Sequence, residues 1–212
     1  MKKMMIAVSM LAVLAACNRG AENNMSAAGN STANSSAGLP TPAERPTQTA
    51  GQTAMPPGLD CVRNRLTPEQ RRAAADVAME QGTRDDPRVQ ALLQATDACG
   101  EELSWSPQKR RLAGMFSMSA AGAAGIRETL GARGISFDEL DQAILGDQEL
   151  MQAAAAGQLS GAVGQQFASR HAALIERMVG SNSDVETGTR IGNYIAFRAL
   201  AETTARQFGS ES

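Results

Sequence analysis

Residues 184–208 read DVETGTRIGNYIAFRALAETTARQF, and their large apolar side chains recur mainly at intervals of three and four. This spacing places side chains on one face of an α-helix. The pattern predicts a helix from Asp184 to Phe208 in which six residues are buried: Ile191, Tyr194, Ile195, Phe197, Ala201 and Phe208.

Helix start signals recur upstream of this stretch. Thr67, Pro68 and Gln70 have the form of a capping box with proline at the first helical position. Ser136 and Glu139 suggest a second box that turns Phe137, Leu140 and Ile144 inward. We predict these helices: 67–81, one that starts at Asp86-Pro87, 106–131, one that starts at Ser136, 147–157, 159–179 and 184–208. The helix from Asp86-Pro87 has Val89, Leu92, Leu93 and Thr96 on one face.

No strand pattern competes with these helices, and no repeat of fixed period is visible. We therefore predict an all-α fold, a single bundle-like domain of six or seven helices over residues 59–209. A domain of this size buries roughly two-thirds of its unfolded surface.

Two segments, 112–126 and 150–169, are uncharged and rich in Ala, Gly and Ser. Ser117, Ala121 and Gly125 follow at four-residue spacing, which predicts close helix packing. Membrane insertion is the alternative, but the first segment has only fifteen residues and the second carries four glutamines.

The composition excludes several classes of function. The chain has 212 residues, and 20 Lys and Arg against 22 Asp and Glu give a net charge of -2, which argues against binding of nucleic acid through bulk charge. With one histidine and three cysteines, a closed four-ligand His/Cys zinc site would need every one of them, which argues against such a site, and a four-cysteine iron–sulfur cluster would lack one ligand. We expect no metal and no cofactor.

The first residues of the chain predict an export signal. Lys2 and Lys3 precede an apolar run from Met4 to Ala16, as in a secretory signal peptide. The alternative, a transmembrane helix, needs about 20 residues, and this run is too short.

The stretch Leu14-Ala15-Ala16-Cys17 resembles the lipobox of bacterial lipoproteins. The resemblance implies removal of residues 1–16, a diacylglyceryl group on the Cys17 thiol and a membrane partner through that lipid. Asn18, where an Asp would favour the inner membrane, implies a periplasm-facing position at the outer membrane. An ordinary signal peptide followed by a chance cysteine is the alternative.

Residues 17–58 follow as a linker of mostly Ala, Asn, Ser, Thr, Gly and Pro, which predicts disorder because nothing in it can form a core. About 40 flexible residues span ~35 Å, enough for a spacer that holds a domain away from a membrane. The alternative interpretation is that this linker has no functional role.

Cys61 and Cys99 remain as an even pair in an exported chain, which predicts a disulfide between them. A redox-active pair is the alternative, but the spacing is not Cys-x-x-Cys.

No catalytic constellation is visible. His171 lies on an apolar stripe with Val163, Phe167, Leu174 and Met178, which favours a buried or boundary histidine with a satisfied hydrogen bond. We interpret the acidic groups Asp85/Asp86, Glu101/Glu102 and Asp138/Glu139/Asp141 as solvated helix caps, and the glycines at 122, 125, 131 and 134 as helix packing and helix endings. From the sequence we therefore expect that the protein is not an enzyme.

Leu66-Thr67-Pro68-Glu69-Gln70 resembles the LTxxQ motif of Spy-like periplasmic chaperones, which are all-helical, ATP-independent holdases. The resemblance covers five residues in one copy, whereas that family typically carries two. It implies a cradle for unfolding clients, with Met79, Arg71 and Arg72 as candidate contacts.

Three hypotheses for function follow. The first is a lipoprotein with a non-enzymatic interaction or structural domain that binds an envelope protein or the cell wall. The second is a holdase, and the third is an enzyme that acts on the cell wall through an unfamiliar site.

Overall fold

The structure, a computed structural model, describes residues 55–80, 85–180 and 184–211. Within these ranges the chain forms a single all-α domain without strands, as predicted, with a short 3₁₀ turn at Pro87–Val89. Its nine α-helices are α1 Leu59–Arg65, α2 Pro68–Met79, α3 Gln90–Glu102, α4 Pro107–Gly131, α5 Asp138–Gly146, α6 Gln148–Ala155, α7 Gly161–Arg170, α8 Ala172–Val179 and α9 Val185–Ser210.

Two differences raise the number of helices above the predicted six or seven. The sequence did not predict α1, because its seven residues are too few to show a clear helical period. The single helix predicted over 159–179 is wrong, since the chain leaves helical geometry at His171 and divides into α7 and α8. After this break the buried positions of α8 are Ile175 and Val179, and Leu174 and Met178 are only half-buried.

The long helices α4 and α9 form the centre of the domain and run antiparallel. At one end the Lys109 ammonium donates to the Glu211 carbonyl oxygen at 2.7 Å. At the other end Arg133 pairs with Asp184 at 2.8 Å. The shorter helices pack around this pair.

The apolar residues form two cores, one at each end of the α4–α9 pair. The N-terminal core lies beneath α1–α3 and includes Leu59, Val62, Leu92, Cys99, Trp105 and Phe208. The Trp105 and Phe208 rings meet edge to face with their centroids 5.1 Å apart. The C-terminal core lies beneath α5–α8 and includes Ile126, Phe137, Leu140, Ile144, Leu150, Phe167 and Tyr194.

Of the predicted buried residues in α9, Ile191, Tyr194, Ile195, Ala201 and Phe208 are buried as expected, and Phe197 is only half-buried. Among those predicted for the helix from Asp86-Pro87, which corresponds to α3, Leu93 is likewise half-buried.

Glycines in α4 permit close helix approach. A Cβ built on Gly122 would lie 2.8 Å from two ring carbons of Phe197 in α9 and 3.2 Å from Cβ of Ala78 in α2. A Cβ on Gly125 would lie 3.0 Å from Cβ of Ala75. The prediction of close packing through small residues is therefore confirmed at Gly125, and Gly122 makes a second contact that the four-residue pattern did not include.

Most helix starts follow the predicted signals, but Asp86-Pro87 begins a 3₁₀ turn with α3 following from Gln90, and the helix predicted from 159 begins at Gly161. The capping box of Thr67 and Gln70 forms, and the side chains of Ser106, Asp147 and Asp184 accept bonds from backbone amides. The box predicted at Ser136 is wrong, because α5 begins at Asp138 and the preceding residue makes no side-chain cap bond. That residue, Phe137, instead packs its ring against Tyr194 with centroids 4.3 Å apart.

Candidate functional site

The first predicted site residue, Cys17, lies outside the described residues. The predicted signal segment, residues 1–16, and the predicted linker up to residue 54 lie outside them as well.

The second predicted site, the cysteine pair, is present as a disulfide. The Sγ atoms of Cys61 and Cys99 are 2.02 Å apart and the Cα atoms 6.1 Å apart. The bond joins α1 to α3 and encloses α2. A loop closed over a sequence separation of 38 corresponds to roughly 4 kcal/mol of stabilisation on the chain-entropy model.

His171 lies at the boundary position that the sequence predicted, but at the junction of α7 and α8. Its ring packs on Phe167 with centroids 4.5 Å apart. Its Nε2 lies 3.6 Å from Oδ2 of Asp147, which is within ion-pair range and beyond hydrogen-bonding distance. The expected hydrogen bond of the imidazole is therefore replaced by a looser contact with a carboxylate.

Asp147 organises this junction. It caps α6 by accepting from the Leu150 amide at 2.9 Å, and both of its oxygens accept from the Arg170 guanidinium. Burial would raise the pKa of this carboxyl group, but the Leu150 amide and Arg170 outweigh burial and the pKa is lowered. Asp147 is thus a fixed anion that attaches the start of α6 to the end of α7.

The most extensive polar cluster joins α4, α5 and α9, and the sequence did not predict it. Asp141 accepts from the Arg127 guanidinium through Oδ2 and from the Tyr194 hydroxyl through Oδ1, the latter at 2.6 Å. Arg127 also donates to the Tyr194 hydroxyl at 2.8 Å. The interpretation of Asp141 as a solvated cap is wrong, because its side chain is largely buried.

The cluster continues along α9. Arg198 lies 3.6 Å from Asp141 and donates to Glu202 at 3.2 Å, and Arg206 donates to Glu202 at 3.0 Å. Only 4% of Glu202 is exposed. We call these six residues the arginine–carboxylate network: Arg127, Asp141, Tyr194, Arg198, Glu202 and Arg206.

The network is arranged for rigidity more than for proton transfer. Both Asp141 oxygens already accept hydrogen bonds, which leaves this carboxylate poorly placed to act as a general base. Burial raises the pKa of the Tyr194 phenol above its ordinary value, and the Asp141 carboxylate raises it further. The Tyr194 phenol therefore stays protonated and holds α5 against α9.

Part of this network leaves a signal in the sequence. Arg198, Glu202 and Arg206 follow at four-residue spacing, as ion pairs on one helix face do. Arg127 and Tyr194 lie 14 and 53 residues from Asp141, and no local pattern connects them.

The other acidic groups pair with arginines near the surface. Arg88 binds Asp86 and Glu80, each at 2.7 Å. Glu102 pairs with Arg65, and Glu139 pairs with Arg177. The pKa values of Asp86 and Glu80 are lowered, mainly by hydrogen bonds from Arg88. Glu80, Glu102 and Glu139 lie in exposed ion pairs, although Glu102 ends α3 and caps no helix start. Asp86 caps the 3₁₀ turn as expected, but only 18% of its side chain is exposed, so it is as buried as Asp141 and not solvated.

The LTxxQ-like stretch supports the local fold. Arg71 donates to the carbonyl oxygens of Leu66 at 2.6 Å and of Arg63 at 3.1 Å, which satisfies the end of α1. Met79 packs against the C-terminal core, whereas Arg72 is exposed. Of the three candidate client contacts, two therefore already have partners within the domain.

The described surface has shallow depressions. One of about 470 Å³ lies beside the disulfide, between α1 and the end of α3. Another of about 310 Å³ lies between α6 and α9 and is lined by residues such as Met151, Gln152 and Thr203.

The described ranges contain neither a metal-binding cluster nor a membrane-spanning helix. No cluster of three or more His, Cys, Asp or Glu side chains there is arranged to hold a metal ion. Among the helices of the same ranges, none combines the length and the apolar character that crossing a membrane requires.

Comparison of the chain with protein-family models, with curated proteins and with solved structures found no match.

Proposed function

We propose that this chain is a lipoprotein of the bacterial envelope, anchored at the outer membrane through Cys17, whose helical domain is a non-enzymatic interaction or structural module. Its partner in this proposal is an envelope protein or the cell wall. The lipobox-like stretch Leu14-Ala15-Ala16-Cys17 supports the anchor.

One observation carries the choice of an interaction module. The polar clusters of the described domain are closed on themselves, since Asp141 and Asp147 accept bonds from arginines and backbone amides of neighbouring elements. Such an arrangement favours a rigid scaffold, because a catalytic acid or base needs an oxygen that substrate can reach.

The distribution of apolar surface favours the same function over a holdase. In the described residues the exposed large apolar side chains are Met55, Leu103 and Val185, with 40%, 43% and 73% of each accessible. Val185 begins α9, at the end of the domain opposite the N-terminal core, so these three side chains form no single patch. Proteins that bind unfolded clients present broader apolar surfaces.

The test is crosslinking of the tagged chain in living cells, followed by mass spectrometry of the captured material. We expect one dominant envelope partner, and the Cys17→Ala chain should lose both membrane fractionation and most of this capture. Membrane association that is unchanged in Cys17→Ala would refute the anchor. Capture of many unrelated unfolded proteins would replace the interaction module with the holdase.

A further inference from the structure

The two sulfurs of the disulfide lie in different environments. Cys99 is completely buried in the N-terminal core, with 0% of its surface exposed. Cys61 is half-exposed and lines the depression of about 470 Å³ between α1 and the end of α3. Cys61 therefore brings one end of the disulfide to the surface, whereas Cys99 is screened from solvent.

The burial of Cys99 favours attack at Cys61. In thiol–disulfide exchange the rate depends on which sulfur is accessible and on the thiol that leaves. A thiol that attacks Cys99 would have to enter the N-terminal core, in which Cys99 is completely buried.

The depression also selects by charge. Its charged lining side chains are Asp60, Arg65 and Glu102, and Arg65 is paired with Glu102. The lining thus carries one net negative charge. An anionic thiol is repelled by it, whereas a cationic thiol of the same size is attracted.

We propose that Cys61 is a thiol-exchange site that accepts small cationic or neutral thiols, with Cys99 as the leaving sulfur. A thiolate bonds to Sγ of Cys61 as the Cys61–Cys99 bond breaks. Cys99 departs with the electron pair as a thiolate and takes a proton from water. A second thiol then attacks the incoming sulfur, which releases Cys61 and completes a two-electron reduction of the disulfide by two thiols.

Exchange at this position has a structural consequence. The helix α1 has only seven residues, too few to be stable alone, and it covers the N-terminal core with Leu59 and Val62. Loss of its covalent link to α3 therefore loosens the cover of that core. The exchange site lies where the chain enters the domain, and its chemistry does not depend on lipidation.

The site is tested by trapping the mixed disulfide. The full Cys17→Ala chain, which retains only Cys61 and Cys99, is exposed briefly to cysteamine, and free thiols are then blocked with N-ethylmaleimide. Trypsin cleavage after Arg63 and after Arg88 puts the two cysteines on separate peptides. We expect cysteamine on Cys61 and maleimide on Cys99. The reverse pattern, or an equal division, would overturn the assignment.

The charge preference is tested by rates. Reduction by cysteamine, by 2-mercaptoethanol and by anionic 2-mercaptoethanesulfonate is measured, each rate divided by that of the same thiol on a small neutral disulfide. At low salt we expect cysteamine to exceed the sulfonate by about fivefold, and high salt should remove the difference. A normalised ratio near one at low salt would refute the proposed class of thiol.

A matched pair of variants separates local from overall charge. Glu102→Gln removes the net charge of the lining, whereas Glu128→Gln removes the same charge from an exposed position on α4. We expect the first to abolish most of the cationic preference and the second to preserve it. Equal effects of the two variants would show that overall charge governs the rate, and the site would be rejected as a selective one.

Discussion

The contact of Gly122 with α9 gives the sharpest test of the packing. Replacing Gly122 with Ala adds a Cβ at 2.8 Å from the Phe197 ring and 3.2 Å from Ala78, and both distances are shorter than van der Waals contact. Overpacking of this kind costs about 1–3 kcal/mol. Alanine also stabilises a helix interior by about 1 kcal/mol relative to glycine, which partly offsets that cost.

Gly114 supplies the matched control, because it lies in the same helix and a Cβ there would meet only Cγ2 of Thr96, at 4.0 Å. The gain in helix propensity is common to both variants. The stability difference between Gly114→Ala and Gly122→Ala therefore measures packing alone, and we expect about 1–3 kcal/mol.

The assay is thermal and urea unfolding of the full chain with its disulfide intact. For a domain of about 150 residues, this difference corresponds to a Tm lower by roughly 2–12 °C in Gly122→Ala than in Gly114→Ala. Removal of the Phe197 ring in the double variant Gly122→Ala/Phe197→Ala should reduce the stability cost of the Gly122→Ala substitution. Equal stability of the two single variants would refute the reasoning that α4 and α9 meet closely at Gly122.

Three further predictions concern named hydrogen bonds. Tyr194 is the only tyrosine of the sequence, so phenolate absorbance reports on this residue alone, and we expect no ionisation near the ordinary pKa of 10 while the domain is folded. The stability of the domain should fall as the pH rises above 10, and Tyr194→Phe should lose about 1 kcal/mol in urea unfolding. Hydrogen bonds from the Thr187 amide and from Arg133 hold the pKa of Asp184 at about 2, below its ordinary 3.8, so the domain should lose stability as the pH falls from 3.8 to 2. In urea titrations at different pH values, Asp184→Asn, which keeps the cap, should show a smaller loss of stability over this range than the unchanged chain. Thr67→Ala removes the capping box of α2 and should cost about 1 kcal/mol in the same assay, whereas unchanged stability would mean that the box contributes nothing.

The sequence predicted the helical class and most helix starts, because both depend on residues close together in the chain. Thr67, Ser106 and Asp147 each cap a helix by a hydrogen bond to the amide three residues later. The apolar period of 184–208 likewise lies within one helix. The short helix α1 and the break at His171 were missed, since a seven-residue helix carries little pattern and an apolar stripe continues through the break.

The candidate sites show the same difference between features that depend on neighbouring residues and features that depend on the packing of helices. From the sequence alone we predict an export signal, a lipobox-like stretch and a cysteine pair, because these are patterns of residue type and number. Only the tertiary structure brought Asp141 together with Arg127 and Tyr194, and only it buried Cys99 while leaving Cys61 half-exposed. The physical reason is that burial and long-range pairing arise when separate helices pack, and each helix contributes only one side of such a contact.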